Sequence, residues 1–222
     1  MNLIDCNYWK NRWENNDTSW HTPETHPLLI QLLDTLKLRE CDTVFVPLCG
    51  ASIDMLYLTK KGYFVIGNEI SPLACEHFFI KNEINYKKTH CKDFDLYKGD
   101  NILLYCGDYF NLTPELLGRK VSAVYDRAAL IALPESLRRR YVNKLFTLLS
   151  PSMNTLLITI EYENERNAPP YLVDEKELYN LYCNDYNLEL LGKFNNTPVC
   201  QRLRERGFVG PCERAYLIRS KA

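Results

Sequence analysis

The feature of this 222-residue sequence that most constrains its fold is a regular alternation of short apolar runs with segments of helical periodicity. Short apolar runs predict buried strands, and apolar residues repeated every three or four positions predict helices. The predicted strands are 43–46, 64–66, 102–105, 121–125, 155–160, 188–191 and 214–218, and the predicted helices are 27–38, 52–61, 71–84, 134–149 and 174–183. This order predicts an α/β fold with a largely parallel sheet covered by helices on both faces. No long helical pattern separates the last two strands, so that end of the sheet is open to antiparallel pairing.

Composition narrows the class of protein. With 27 Lys and Arg against 28 Asp and Glu, the net charge of −1 argues against a nucleic-acid partner, which usually requires a basic domain. Neither a repeat nor a Gly/Ser linker interrupts the chain, so residues 1–222 are interpreted as a single domain. About 40 residues precede the first predicted strand, and residues 1–40 are expected to cover a binding site. They contain all three tryptophans, Trp9, Trp13 and Trp20.

Cysteine and histidine usage indicates the compartment and the cofactor chemistry. The nine cysteines form no Cys-x-x-Cys pair, which is typical of reduced thiols in a cytoplasmic protein. The four histidines do not form a zinc-binding pattern, so no metal site is predicted. Neither a secretory signal nor an apolar run of about 18 residues is present, so no membrane partner is expected. Because nothing suggests an extended apolar interface, the prediction is a monomer.

The turn after the first predicted strand is the first place to expect a ligand, because open parallel sheets bind ligands beyond the carboxyl ends of their strands. This turn, residues 46–52, contains one glycine, Gly50. Dinucleotide sites need the three glycines of Gly-x-Gly-x-x-Gly, and nucleoside triphosphate sites need a Walker lysine. Both kinds of site are therefore disfavoured.

An acidic residue ends the second predicted strand. Glu69 lies nineteen positions after Gly50, where a carboxylate can accept hydrogen bonds from both hydroxyls of a ribose. One glycine with this acid suits a nucleoside without a pyrophosphate, as in S-adenosylmethionine. A solvated glutamate after a strand is the equally simple alternative.

Two further strand ends carry candidate ligands. Asp108 and Tyr109 follow the third strand and suit an adenine ring, although a turn with an aspartate cap explains them equally well. Arg127 ends the fourth strand, and its guanidinium suits the carboxylate of a methionine moiety. The alternative is an ion pair between Arg127 and Asp126 or another carboxylate.

Seven short motifs together resemble the thiopurine S-methyltransferase family. They cover the chain from about Tyr8 to Leu217, in the order in which the family has them: Tyr8-Trp9-(x)3-Trp13, Val46-Pro47-Leu48-Cys49-Gly50, Gly67-Asn68-Glu69, Cys106-Gly107-Asp108-(x)-Phe110, Asp126-Arg127-Ala128-Ala129-Leu130, Leu133-Pro134-(x)3-Arg138-(x)2-Tyr141 and Pro169-Pro170-Tyr171. The resemblance implies a Rossmann-like class I methyltransferase fold. Its sheet has seven strands and is parallel except for an antiparallel last strand.

The same resemblance implies the ligands and their residues. S-adenosyl-L-methionine, with S-adenosyl-L-homocysteine as its product, is expected to contact Trp9, Trp13, Leu48, Gly50, Glu69, Asp108, Tyr109 and Arg127. Arg127 is also the predicted catalytic residue. Trp20 and Arg202 are expected to face the methyl acceptor, although a core tryptophan and a surface arginine are the alternatives.

The predicted reaction moves a methyl group by in-line displacement to the sulfur of a small thiol, such as a thiopurine or an aromatic thiol, or to a selenium or tellurium compound. Two departures from the family pattern leave the choice of acceptor open: Ala51 replaces a lysine, and Ala168 and Tyr171 replace Gly and Phe in the Gly-Pro-Pro-Phe loop. A halide or thiocyanate methyltransferase and a noncatalytic S-adenosylmethionine-binding protein are the alternatives.

Overall fold

A computed structural model describes residues 6–148, 153–164 and 166–221 of the chain. Its strands are β1 (Thr43–Val46), β2 (Phe64–Glu69), β3 (Lys87–Cys91), β4 (Phe94–Lys98), β5 (Ile102–Cys106), β6 (Ala123–Arg127), β7 (Asn154–Glu161), β8 (Tyr186–Phe194) and β9 (Cys212–Ser220). Its α-helices are α1 (Cys6–Glu14), α2 (Pro27–Leu32), α3 (Asp54–Lys60), α4 (Pro72–Lys81), α5 (Pro114–Leu117), α6 (Glu135–Leu148), α7 (Glu175–Tyr182) and α8 (Pro198–Glu205). Short 3-10 turns occupy Leu33–Leu36, Tyr109–Asn111 and Leu130–Ala132.

The strands form one sheet in the order β3-β4-β5-β2-β1-β6-β7-β9-β8. The five central strands, β5 to β7 in that order, are parallel to one another. β9 runs antiparallel to both β7 and β8, so β8 has the direction of the central strands. From β1 the sheet extends through β2 on one side and through β6 on the other, so the strand order reverses at β1. In open α/β sheets, ligands bind beyond the carboxyl ends of the strands at such a point.

The predicted fold class is confirmed, and the sheet is larger than predicted by two strands. All seven predicted strands are present, with β9 as the antiparallel one. The two additional strands, β3 and β4, form an antiparallel hairpin that extends the edge of the sheet beyond β5. β3 reads Lys-Lys-Thr-His-Cys and is mostly exposed, so it has neither the apolar run nor the alternation by which a strand is recognised.

Helix predictions differ from the structure mainly at short helices. The predicted helix 27–38 consists of two segments, α2 and the 3-10 turn Leu33–Leu36. Lys37 follows this turn as its C-cap, with a φ of 52°. α8 lies between the last two strands, where no long helix was predicted, and is eight residues long. Ser71 caps α4 as predicted, with its Oγ 3.4 Å from the amide nitrogen of Ala74. Residues 1–5 of the predicted cover, and residue 149 at the end of the predicted helix 134–149, lie outside the described residues.

Helices cover both faces of the sheet, as predicted, because successive side chains of each central strand point in opposite directions. In β1, Val44 and Val46 pack into one apolar cluster and Phe45 packs into the other. The first cluster includes buried side chains of α2, α3 and α4, and the second includes those of α6, α7 and α8. Burial on both faces fixes the strand register, and with it the positions of the strand ends. In the described ranges, no helix is both long enough and apolar enough to cross a bilayer.

Candidate active site

A cavity of about 430 Å³ opens at the carboxyl ends of β1, β2, β5 and β6. This volume lies within the range of small-molecule sites. The structure brings all ten predicted site residues to its wall: Trp9, Trp13, Trp20, Leu48, Gly50, Glu69, Asp108, Tyr109, Arg127 and Arg202. Their roles as ligands remain predictions, and the structure shows that they line one cavity.

Two residues at this cavity have a strained backbone. Leu48, after β1, has φ 45° and Ala128, after β6, has φ 66°, both in the left-handed region that non-glycine residues rarely adopt. Each costs on the order of 1 kcal/mol and persists only where the surrounding structure enforces it. Gly50 also has a positive φ, 55°, and a Cβ there would lie 3.6 Å from the ring of Trp13. The turn thus holds its backbone close to the cavity and to the ring of Trp13.

The carboxylate of Glu69 is fixed by the backbone on both oxygens. Its Oε2 accepts a hydrogen bond from the amide of Gly50 at 2.9 Å, and its Oε1 accepts one from the amide of Ser71 at 2.7 Å. Burial raises the pKa of Glu69 above its usual value, and these hydrogen bonds oppose the shift without reversing it. A carboxylate has about four lone-pair sites, so two remain for hydroxyl donors from a ligand.

Asp108 and Tyr109 make contacts within the protein, as expected if they belong to a turn with an aspartate cap. Asp108 caps the short 3-10 turn, with Oδ1 accepting from the amide of Phe110 at 2.9 Å. Tyr109 is buried against Tyr141, with ring centroids 4.9 Å apart. Both residues nonetheless line the cavity, so the contact with adenine stays a prediction.

Arg127 forms a buried ion pair with Asp54, which the sequence analysis did not pair with it. The Nε of Arg127 donates to Oδ2 of Asp54 at 2.9 Å, and its Nη2 donates to Oγ of Ser52 at 3.2 Å. Asp54 also accepts from the backbone amide of His26 at 2.7 Å and from the hydroxyl of Tyr125 at 3.0 Å. The alternative of a pair with another carboxylate is therefore realised, while Arg127 still lines the cavity.

The proposed pair between Arg127 and its neighbour Asp126 is absent, because adjacent strand residues point to opposite faces of the sheet. Asp126 accepts from the hydroxyl of Tyr141 at 2.6 Å and has only neutral donors. Burial raises the pKa of Asp126 to about 6. Burial also acts to raise the pKa of Asp54, but Arg127 and the donors from His26 and Tyr125 outweigh it and lower that pKa.

An aromatic cover closes the cavity from the N-terminal side. Trp9 and Trp20 meet edge to face with ring centroids 5.2 Å apart, and Trp13 and Trp20 meet similarly at 6.1 Å. The guanidinium of Arg12 lies 4.6 Å from the ring centroid of Trp20. Trp13 is buried, and Trp20 is half-buried and packs against one of the two apolar clusters, so its role towards the methyl acceptor stays a prediction.

The wall opposite the Glu69 turn is formed by β7, β9 and α8. Its apolar side chains include Ile158, Ile160, Val199 and Leu203. Arg202, on α8, is half-buried and lines the cavity. Sequence reasoning missed several polar residues of the wall, namely Arg12, Arg140, Thr159, Arg206 and Glu213. Glu213 directly precedes the predicted strand 214–218, and nothing in the neighbouring sequence indicates that its carboxylate lies at a cavity.

No group of three or more His, Cys, Asp or Glu side chains is placed to hold a metal ion in the parts of the chain that the structure describes. The eight cysteines for which a state is described are all free thiols. Cys49 lies at the cavity wall, and burial raises its pKa well above the usual value. A buried thiol of this kind is a poor nucleophile.

The fold resembles those of solved methyltransferases. A structure of an S-adenosylmethionine-dependent methyltransferase from Anabaena variabilis superposes with a TM-score of 0.65 at 15% identity, covering 100% of this chain and 98% of the other. The 1,6-didemethyltoxoflavin-N1-methyltransferase of Burkholderia thailandensis, solved with its substrate and S-adenosylhomocysteine, gives 0.64 at 12% identity and covers 98% and 87%. At these identities the likeness concerns the fold alone.

Sequence comparison identifies the family. The thiopurine S-methyltransferase family model matches residues 4–221. A thiopurine S-methyltransferase from Methylococcus capsulatus is 38% identical over 221 residues, which is 99% of each chain. Because the match spans nearly the whole length of both proteins, this chain belongs to the thiopurine S-methyltransferase family.

Proposed function

We propose that this protein transfers the methyl group of S-adenosyl-L-methionine to the sulfur of a small thiol, a thiopurine or an aromatic thiol, or to a related selenium or tellurium compound. The observation that carries the proposal is the buried carboxylate of Glu69, which the backbone holds at the carboxyl end of β2 on the same cavity as Arg127. The family membership supports the same activity.

The residues present fit S-adenosylmethionine. Glu69 would accept the ribose hydroxyls on its free lone pairs, and Gly50 leaves room beside it. Asp108 and Tyr109 would flank the adenine, and Trp9, Trp13 and Leu48 would enclose the nucleoside. Within the described residues Asp54 and Ser52 engage Nε and Nη2 of Arg127, which leaves Nη1 for the methionine carboxylate. When bound, this cofactor supplies a methyl group made electrophilic by its sulfonium charge.

The chain's own contribution is to orient the reactants and to exclude water. Trp9, Trp13 and Trp20 close the cavity on one side, and the β7–β9 wall closes the other. Holding a nucleophile and an electrophile in line removes much of the entropic barrier to their reaction, and excluding water removes competing solvation. No general base is needed for an acceptor that ionises near neutral pH.

The charge of the cavity favours anionic or neutral methyl acceptors. Five guanidinium groups line it, those of Arg12, Arg127, Arg140, Arg202 and Arg206, against the carboxylates of Glu69, Asp108 and Glu213. An excess of cationic groups stabilises a thiolate in its ionised form. Trp20 and Arg202 are the residues that we assign to the methyl acceptor.

Domain organisation, compartment and oligomeric state are proposed from the sequence. We propose that residues 1–222 form a single domain in which residues 1–40 cover the active site, and that the protein is a cytoplasmic monomer. The free thiols are the structural support for a reducing compartment. Light scattering on the purified protein would test the monomer.

The decisive experiment combines binding and turnover. Calorimetry should show tight binding of S-adenosylhomocysteine and no binding of NADH. Turnover should then be measured with 6-mercaptopurine, thiophenol, hydrogen selenide, iodide and thiocyanate as acceptors. Methylation of 6-mercaptopurine, thiophenol or hydrogen selenide supports the proposal. Methylation of iodide or thiocyanate alone would make the protein a halide or thiocyanate methyltransferase, and binding without any turnover would make it a noncatalytic binding protein.

A further inference from the structure

A second buried carboxylate, that of Glu213, lies on the cavity wall and is only half engaged. Glu213 is the second residue of β9, opposite Ile160 of β7, and is 3% exposed. Its Oε1 lies 3.0 Å from Nε2 of His26. Among the described residues, its Oε2 has no hydrogen-bond partner.

The contacts of His26 identify which nitrogen carries the proton. Its Nδ1 accepts a hydrogen bond from the amide of Leu28 at 3.2 Å, so Nδ1 is unprotonated. The proton is therefore on Nε2, which donates to Oε1 of Glu213. The backbone amide of His26 is bound to Asp54, which fixes the imidazole at the start of α2. Oε1 of Glu213 is thus occupied, and Oε2 is the oxygen that is free to accept.

A buried oxygen without a donor is costly, and native proteins retain few such atoms without a reason. Within the described residues, no backbone amide donates to Oε2 of Glu213, whereas amides donate to both oxygens of Glu69. The neighbouring wall contributes the apolar side chains of Ile158, Ile160, Val199 and Leu203, and the hydroxyl of Thr159 on the same wall makes no hydrogen bond in the part of the chain that the structure describes. Arg127 is close enough for its charge to interact with that of Glu213, but its hydrogen bonds go to Asp54 and Ser52.

The charge of the cavity limits the kind of donor that a ligand can bring to Oε2. Five arginines line the same cavity and the proposed cofactor is itself a sulfonium cation, which together disfavour a cationic methyl acceptor beside it. The donor must then be an uncharged N–H or O–H group. For a methyl acceptor whose reacting atom is sulfur, the group that places such a donor next to the sulfur is a ring thioamide, in which the thione tautomer carries N–H on the adjacent nitrogen.

We propose that Glu213 is a specificity-determining residue that accepts, through Oε2, the N–H hydrogen bond of a methyl acceptor with the ring thioamide group. This inference rests on the proposed S-methyltransferase activity and names the acceptor chemistry that the β7–β9 wall selects. A simple thiolate has no donor for Oε2 and leaves that oxygen without a hydrogen bond. The site is thereby biased towards heterocyclic thiones and against aromatic thiols that lack the adjacent N–H.

The test compares two acceptors of nearly equal shape, 2-thiopyridone, which has the N–H, and thiophenol, which lacks it. The variant is Glu213→Gln, whose amide oxygen can keep the hydrogen bond from His26 while its NH2 group replaces Oε2. We expect the ratio of kcat/KM for 2-thiopyridone to kcat/KM for thiophenol to fall roughly 10- to 100-fold, as for loss of a hydrogen bond to a charged group. The matched control is Glu189→Gln, an exposed carboxylate on β8 outside the cavity, for which the ratio should be unchanged.

A second measurement separates acceptor binding from folding and from turnover. Calorimetric affinity of the S-adenosylhomocysteine complex for 2-thiopyridone should fall by a similar factor in Glu213→Gln, while affinity for S-adenosylhomocysteine and the urea midpoint stay near those of the wild type. An unchanged acceptor ratio, or an equal loss for both acceptors, overturns the role of Glu213. Wild-type protein that methylates only thiophenol overturns it as well, with the proposed function intact. Wild-type protein that methylates no thiol overturns the proposed function, and this inference with it.

Discussion

The carboxylates of Glu69 and Glu213 lie on opposite walls of one cavity and are engaged in different ways. Both are buried. Glu69 accepts backbone hydrogen bonds on both oxygens, from Gly50 and Ser71. Glu213 accepts one hydrogen bond, from His26, and its second oxygen has no partner in the described part of the chain.

This difference shows which carboxylate oxygens on each wall have a hydrogen-bond donor before a ligand binds. The β1–β2 wall is held by amides of two short turns, so its carboxylate has a fixed position and its ligand contacts use lone pairs that are left over. The β7–β9 wall keeps an unsatisfied atom, whose cost is relieved only when a donor binds. We infer that the first wall is preorganised for a constant ligand and that the second is where the choice among methyl acceptors is made.

Asp54 connects the two walls, and its removal is the change with the largest expected effect. It accepts from the amide of His26, which reaches Glu213, and from Arg127 at the cavity. We expect Asp54→Ala to lower the free energy of unfolding by about 3–5 kcal/mol, because a buried guanidinium loses its counter-charge. Urea denaturation measures this loss.

The control for this prediction is Asp34→Ala, at an exposed aspartate near α2, which should change the free energy of unfolding by no more than about 0.5 kcal/mol. If Asp54→Ala lowers the free energy of unfolding as little as the control does, Asp54 does not couple the two walls of the cavity.

The next effect concerns Glu69 and tests the preorganised wall. Glu69→Gln should weaken binding of S-adenosylhomocysteine by roughly 10- to 100-fold, because charge-assisted hydrogen bonds to the ribose hydroxyls are lost. Calorimetry measures the affinity. Glu76→Gln, at a carboxylate of α4 that does not line the cavity, is the matched control and should bind as the wild type does.

The pH dependence of the same site follows from the raised pKa of Glu69. The ionised form accepts both hydroxyls, so wild-type affinity for S-adenosylhomocysteine should decrease as the pH falls through this raised pKa, at a higher pH than for an ordinary glutamate. The contribution of Glu69 to folding stability has the opposite sign. Because its folded pKa is raised, the stability that it contributes is present at low pH and is lost as the pH rises through the folded value.

Calorimetry and urea denaturation between about pH 4 and pH 8 separate these two opposite trends. Glu69→Gln should remove both of them. Wild-type affinity that does not change with pH would contradict the assignment of the ribose to Glu69.

The smallest effect is expected at Trp20, where the cover meets the methyl acceptor. Trp20→Ala should raise KM for an aromatic thiol by about tenfold, the scale of one lost aromatic contact, and should change the affinity for S-adenosylhomocysteine much less. Trp20→Phe keeps an aromatic face and should restore most of the affinity for the thiol. Equal losses for thiol and cofactor would show that Trp20 belongs to the cover as a whole and does not discriminate between the two ligands.

The sequence predicted the central sheet and the cavity because their signals are local. Buried parallel strands are short apolar runs whatever their neighbours are, and Gly50, Glu69 and Arg127 each stand at the end of such a run. Edge strands and short helices gave weaker signals. The exposed β3 lacks the apolar run that burial imposes, and α8 is eight residues long and buries just two side chains, Cys200 and Leu203; neither was predicted.

The sequence alone therefore determined the fold class, the family and the edge of the sheet at which the cavity lies, since each depends on residues close together in the chain or on motifs in a fixed order. Only the tertiary structure decided that Arg127 pairs with Asp54 and not with Asp126, and that His26 reaches Glu213, 187 positions later in the chain. Such partners come from segments that meet only when the sheet has formed, and the same burial that brings them together determines which of their atoms find a hydrogen-bond partner.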